Sequence, residues 1–220
     1  RNALAALCPG WSYRAGVGLG RVVGRSAMAL ERRVLIGLLF LLSGGFLGSA
    51  AYIPAKAWLA QRLLERAWYL GQSGPAIPAP WPWADTRPIM RLTQPRLGVS
   101  QFVLEGASGR VLAFGPGWLT VSAVPGEYGN VVVSGHRDTH FRWLAELRHA
   151  DILTTVLSDG RRKSYRVSTM QIHHADEVGL ADPHIGDQLR LVTCYPLDAI
   201  NAGTEWRYVV TALPEPNAAS

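Results

Sequence analysis

Cys194, His136 and Arg207 are the residues of this sequence whose types together make a complete acyl-transfer set. A thiol of ordinary acidity, pKa about 8.5, is mostly protonated at neutral pH, so a nucleophilic cysteine needs a neighbouring base or cation. Histidine meets that need because an unperturbed pKa of about 6.5 lets it take a proton and return it. When a carbonyl is attacked its oxygen becomes anionic, and a fixed arginine stabilises that oxygen in place of water.

Each of the three stands at the end of a strand-like run. Val131-Val132-Val133-Ser134-Gly135-His136 closes a β-branched stretch on a glycine and then the histidine. Leu189-Arg190-Leu191-Val192-Thr193-Cys194-Tyr195-Pro196 closes another on the cysteine. Glu205-Trp206-Arg207-Tyr208-Val209-Val210 opens a third with the arginine. Side chains from distant sequence positions converge where strands end on one rim. Thr193 is expected to support its strand end through its hydroxyl or by packing, and Val192 and Gly135 to border the substrate. Alternation along a strand puts Arg190 on the face of Val192 and Cys194.

Two other readings compete. His136 and His140 stand four apart, with Asp138 between them and His173-His174 further on, which invites a zinc hydrolase. A zinc-binding helix of that type carries Glu directly after its first histidine, whereas Arg137 stands there and Gly135 precedes it. No metal and no cofactor is expected, and His140, His149, His173, His174 and His184 are read as surface or loop residues. Asp138 is a candidate to orient His136. The second competitor is a non-enzymatic envelope module in which Cys194 is a small buried core residue, as free cysteines commonly are; replacing Cys194 by alanine separates the cases. A thiol transpeptidase of peptidoglycan crosslinking would show a Ser-His-Gly-Cys context, which Leu191-Val192-Thr193-Cys194 does not supply.

The elements that position these residues are short. Val99–Leu104, Arg110–Phe114, Asn130–Ser134, Ile152–Leu157, Lys163–Ile172, Gln188–Thr193 and Trp206–Ala212 read as strands, rich in β-branched residues and separated by Gly and Pro turns. Phe141–Leu147 is the helical interruption, directly after the His136 loop. Many short strands at this spacing predict an all-β domain over 89–220, closed or nearly closed as a barrel, since closure removes exposed edges.

The N-terminal part is of a different kind. Val34 to Ile53 is a run of 20 residues without a charge, which at about 1.5 Å per residue matches a hydrocarbon core roughly 30 Å thick. It is expected to be a transmembrane anchor (34–53) behind a basic cytoplasmic N-terminus (1–33). Arg14, Arg21, Arg25, Arg32 and Arg33 precede it, which orients the body outward. A cleaved secretory signal, ending near Gly48-Ser49-Ala50, is the alternative and also exports the body.

Residues 1–33 hold six arginines against Glu31, a net +5, so of the formal +6 only +1 belongs to the rest of the chain. The basic balance is a topology signal, and a nucleic-acid partner loses its support. Residues 54–88 read as a juxtamembrane helix, with apolar Trp58, Leu59, Leu63, Ala67 and Leu70, followed by a Pro-rich linker or strap over the domain. The two cysteines, Cys8 and Cys194, fall on opposite sides of the expected span, leaving Cys194 a lone thiol outside the cytoplasm.

The order Gly-His, then Thr-Cys followed by Tyr-Pro, then an arginine opening a Tyr-Val-Val strand, resembles the sortases. With its anchor and outward domain the chain is similar to the smaller ones of Gram-negative proteobacteria. The resemblance covers roughly Ile89 to Leu213. It implies an eight-stranded barrel, catalytic positions at His136, Cys194 and Arg207, and cleavage of an LPxTG-like C-terminal sorting signal between Thr and Gly through a Cys194 thioester. The implied partners are a target protein bearing that signal and an amine acceptor at the cell envelope, with the chain held in the inner membrane by a single pass and its catalytic domain facing the periplasm or exterior. Arg190 departs from the family's usual Thr-Leu-x-Thr-Cys, which bears on the groove wall rather than on the chemistry.

Overall fold

The computed structural model describes residues 20–74, 76–177, 179–199 and 204–216; Cys8 and Arg14 lie outside the described residues. The chain divides into two compact units at Pro54/Ala55. Helix α1, Gly20–Ser73, runs through the boundary and contains the whole charge-free run. In the first unit Val34, Leu35, Ile36, Leu38, Leu39 and Phe40 are exposed. Among the described residues no helix is long and apolar enough to cross a membrane.

The second unit is a closed barrel. Its strands are β1 (Pro88–Gln94), β2 (Val99–Glu105), β3 (Gly117–Trp118), β4 (Asn130–Ser134), β5 (Ile152–Leu157), β6 (Arg162–His174), β7 (Gln188–Tyr195) and β8 (Trp206–Pro214). They are joined in the order β1-β2-β3-β4-β7-β8-β6-β5, and β5 closes on β1. The eight-stranded closure expected from the resemblance is therefore present. Alternation builds the interior: in β1 every other residue is buried, from Pro88 through Met90 and Leu92 to Gln94, and in β7 Leu189, Leu191 and Thr193 point in while Arg190, Val192 and Cys194 lie half-buried on the other face. Phe141 and Leu144, both fully buried, close the core from the segment around the 3₁₀ turn Arg142–Glu146.

Two expectations need correction, and one strand is new. Arg110–Phe114 is not a strand: Gly109–Leu112 forms the one-turn helix α2, whose N-cap Ser108 accepts from Val111 N. The cap supplies one of the first-turn amide groups with a partner, which a strand assignment ignores. Strand β1 goes unlisted in the sequence reading because it starts on Pro88, inside the apparent linker. The inward stripe of α1 beyond Pro54 is Ala60, Leu64, Ala67, Trp68 and Gly71, whereas Trp58, Leu59 and Leu70 are exposed. Of the expected apolar positions Ala67 lies in this stripe, whose i, i+4, i+7, i+8, i+11 spacing is helical as expected and rotated in phase.

This helix face packs on the outside of β2 and α2. Leu64 shares a small cluster with Leu104 and Val111, and the Trp68 and Phe102 rings lie 5.6 Å apart. Burying Leu64 and Trp68 stabilises the docking by about 1.5–3 kcal/mol each. The Pro-rich segment is a strap: Trp81 meets the Phe114 ring edge-on at 5.0 Å, and Thr86 Oγ1 donates to Glu105 O at 2.8 Å.

Candidate active site

The site grows out of two strand pairings. Strands β4 and β7 run parallel with Ser134 beside Val192. Gly135 N donates to Val192 O at 3.1 Å, so the pairing continues one residue past the strand, and the next residue, His136, arrives at the level of Cys194. Thr193, 2% exposed, donates from Oγ1 to Gly135 O at 2.7 Å. β7 therefore holds both backbone groups of Gly135. A side chain is excluded there, because a Cβ on Gly135 would stand 2.8 Å from the Phe141 ring. The expected supporting role of Thr193 takes this concrete form, and Val192 lies half-buried on the face of Cys194.

The second pairing is antiparallel. Cys194 of β7 lies directly opposite Arg207 of β8, and Arg207 in turn lies opposite His173 of β6. Directly opposed residues of antiparallel strands project to the same face. The rim thus presents, in order, His136, Cys194, Arg207 and His173. Cys194 is a free, half-buried thiol, His136 is exposed and Arg207 half-buried. Arg207 Nη1 donates to Thr204 O at 2.6 Å and Trp206 O at 3.0 Å, which tethers one end of its guanidinium. His173, read from sequence as a surface or loop residue, is the penultimate residue of β6 and half-buried, and its Nδ1 is 2.7 Å from Glu177 Oε2.

Arg137 has a position that sequence reading did not anticipate. It is 5% exposed, and its Nη1 donates to Pro196 O at 2.7 Å, joining the His136 loop to the residues that follow Cys194. Its Nε donates to Asp138 Oδ1 at 3.0 Å, so the carboxylate considered for orienting His136 is engaged by Arg137. A hydrogen bond from a buried cation contributes more than a neutral one, about 1.5–3 kcal/mol. Nothing local in the sequence marks this arginine as buried. Phe141 N donates to His136 O at 2.9 Å, closing the loop from its other end.

Two further residues shape the surroundings. Burial lowers the pKa of His140, the charge of His136 lowers it further, and a hydrogen bond from its ring to the Ala113 backbone opposes both. Arg190, the motif departure, donates from Nη1 to Leu180 O at 3.0 Å beneath the β6–β7 connection, and burial lowers its pKa. A half-buried thiol with a guanidinium across one strand and an imidazole beside the other is an arrangement suited to acyl transfer at an open rim.

Comparison with known proteins agrees with this architecture. Residues 92–215 match the family model described as the Sortase domain. Sortase D of Bacillus subtilis is 33% identical over 116 residues, covering 53% of this chain and 58% of that protein, so the match spans well under two thirds of the relative. Among solved structures, sortase C-1 of Actinomyces oris superposes with a TM-score of 0.51 at 26% identity, covering 59% of this chain and 75% of the other. The Clostridium perfringens sortase C solved with the C-terminal cell wall sorting motif gives a TM-score of 0.53 at 20% identity over 74% of this chain and 90% of the other, a likeness of fold.

Proposed function

Because the chain belongs to the sortase family, we propose that it is a cysteine transpeptidase that cleaves an LPxTG-like C-terminal sorting signal and transfers the target protein to an amine acceptor. The observation that carries this reading is the cross-strand pairing of Cys194 with Arg207 beside the β4 end that leads into His136. The structure of a relative with a cell wall sorting motif supports the same substrate class.

The cycle runs in two balanced halves. The Cys194 thiolate attacks the scissile carbonyl carbon and the carbonyl oxygen becomes an oxyanion facing Arg207, whose guanidinium stabilises the charge. The tetrahedral species collapses, the C–N bond breaks, and imidazolium His136 gives its proton to the departing amine, leaving a thioester on Cys194. An incoming amine then loses a proton to His136 and attacks the thioester carbon; the C–S bond breaks, an amide forms, and Cys194 leaves as thiolate beside a reprotonated His136. Thr193 and Gly135 act as positioning residues for His136, and Val192 borders the signal's path.

We propose further that Val34–Ile53 anchors the chain in the cytoplasmic membrane with the barrel outside. The 20 charge-free residues within one continuous helix, and the arginines before them, support this.

The experiment is to incubate the protein with LPxTG-type peptides and look by mass spectrometry for an acyl adduct on Cys194. An adduct that vanishes in Cys194→Ala is the expected result. No adduct across a panel of motif variants, together with a thiol that alkylates no faster than free cysteine, would overturn the assignment.

A further inference from the structure

Among the described residues Arg137 is the one charged residue that the fold buries, and no step of the cycle above uses it. Desolvating a guanidinium is costly, and a carboxylate offsets that cost best when it is buried with it. Asp138, which accepts from Arg137 Nε at 3.0 Å, has a side chain 71% exposed, so this ion pair is a weak reason to bury a cation. The contact that reaches furthest along the chain is the other one, from Nη1 to Pro196 O at 2.7 Å.

That contact completes a pattern around the two reacting side chains. On one side of His136, Gly135 is held to β7 by its N–H on Val192 O at 3.1 Å and by Thr193 Oγ1 on its carbonyl at 2.7 Å. On the other side, Arg137 is held to Pro196. Along the cysteine strand the same contacts fall at Val192, Thr193 and Pro196, so Cys194 lies between them as His136 lies between Gly135 and Arg137. The two chain segments form a frame closed at both ends. Gly135 and Arg137 are buried and His136 between them is exposed, so the residues that carry the frame turn inward and the imidazole turns out. With Arg137 removed, β7 would hold the histidine loop from the Gly135 side alone.

We propose that Arg137 is a positioning residue for acyl transfer: by tying the His136 loop to Pro196 it closes this frame and holds the imidazole at a set separation from the Cys194 sulfur. It acts through His136 and Cys194 and touches neither substrate nor the reacting atoms. The inference rests on the transpeptidase reading above, in which one imidazole must serve the departing amine and then the arriving one while the sulfur stays on the same carbonyl carbon. Geometry of that kind is sensitive to small displacements, since about 1 Å of misplacement costs about 10²-fold in rate. Two of the arginine's nitrogens are engaged, Nη1 by Pro196 O and Nε by Asp138, so the tether resists rotation as well as separation. A lysine has one nitrogen and holds the loop less well.

The test uses the full chain with Arg137→Met, which keeps the bulk and removes every donor, and Arg137→Lys, which keeps the charge and one donor nitrogen. With an LPxTG-type peptide, thioester formation slows about 10²-fold in the methionine variant and about ten-fold in the lysine variant. KM stays within about three-fold of wild type in both, because the lost interaction is one of geometry in the transition state. A second readout needs no sorting peptide. The pH profile of Cys194 alkylation by iodoacetamide is measured with and without His136→Ala in each background, and the difference between the two profiles reports how closely imidazole and thiol interact. In both Arg137 variants that difference shrinks to less than half its wild-type size. A merely structural role would lower the unfolding temperature and leave the difference intact, and that result overturns the proposal; so does a thioester rate within about three-fold of wild type in Arg137→Met. Should the methionine variant not fold, Arg137→Lys decides by the same two readouts, and a wild-type rate with an intact difference overturns the proposal. A chain that forms no thioester with any sorting peptide, yet loses the imidazole–thiol difference in the Arg137 variants, would sink the transpeptidase reading while keeping Arg137 as the residue that positions the pair.

Discussion

Arg207 faces Cys194 across the β7–β8 pair, and its Nη1 is tied to two backbone carbonyls, those of Thr204 and Trp206. A lysine at this position keeps the charge and loses the planar fork, so the cation would no longer be held in one place. Arg207→Lys is expected to lower kcat by about 10²–10³-fold, the range for losing one oxyanion donor. The rate of Cys194 alkylation by iodoacetamide should change only a few-fold. Unchanged kcat would remove Arg207 from the mechanism, and a parallel loss of alkylation would assign it to thiol activation instead.

Thr193 is the hinge pin between the cysteine strand and the histidine loop. Thr193→Val keeps the shape but deprives the buried Gly135 carbonyl of its 2.7 Å donor, at a cost of about 1–3 kcal/mol. Thermal unfolding should register that loss, and kcat should fall about ten- to hundred-fold as His136 shifts from its attack geometry. Thr193→Ser, which retains the hydroxyl, should recover most of both. Failure of the serine variant to recover activity would assign Thr193 to packing alone.

Gly135→Ala tests the same joint from the other side. The new methyl would meet the ring of Phe141, itself fully buried and unable to retreat. Overpacking of this kind costs about 1–3 kcal/mol. The loop must move to relieve it, so thioester formation should slow more than the stability loss alone explains. A Gly135→Ala variant with wild-type turnover would show that His136 tolerates displacement of its loop.

How far the sequence carried these conclusions differs by element. Strands β2, β4, β5, β7 and β8 are legible as short runs rich in Val, Ile, Leu, Thr and Tyr, set between Gly and Pro turns. Strand β3 is two residues long and has no pattern to read. Lys163–Ile172 was recognised but extends to His174, so the pairing of His173 with Arg207 was not visible. Arg110–Phe114 misled because four apolar residues in a five-residue run satisfy either period, and only the Ser108 cap decides. The burial of Arg137 depends on Pro196 O, 59 residues away, and no local spacing encodes such a contact.

The anchor reading makes a direct prediction. The full chain should remain in the membrane fraction after alkaline carbonate washing, and a chain starting at Ala55, the first residue of the barrel unit, should be released. Release of the full chain under the same wash would refute Val34–Ile53 as a span.

His140 gives the fold a pH dependence whose sign follows from its environment. Burial, reinforced by the charge of His136, holds its folded pKa below the ordinary value of 6.5. Above pH about 6.5 the side chain is neutral in both folded and unfolded chains and contributes no pH dependence. As the pH falls below that value the unfolded chain takes up the proton first, so ν_U exceeds ν_N and stability declines until the folded pKa is passed. Thermal unfolding of the wild type between pH 7 and pH 5 should therefore lose more stability than His140→Gln, which has no proton to take up. Equal slopes for the two proteins would mean that His140 titrates as freely in the fold as in the open chain, and that its place beside the His136 loop carries no electrostatic consequence.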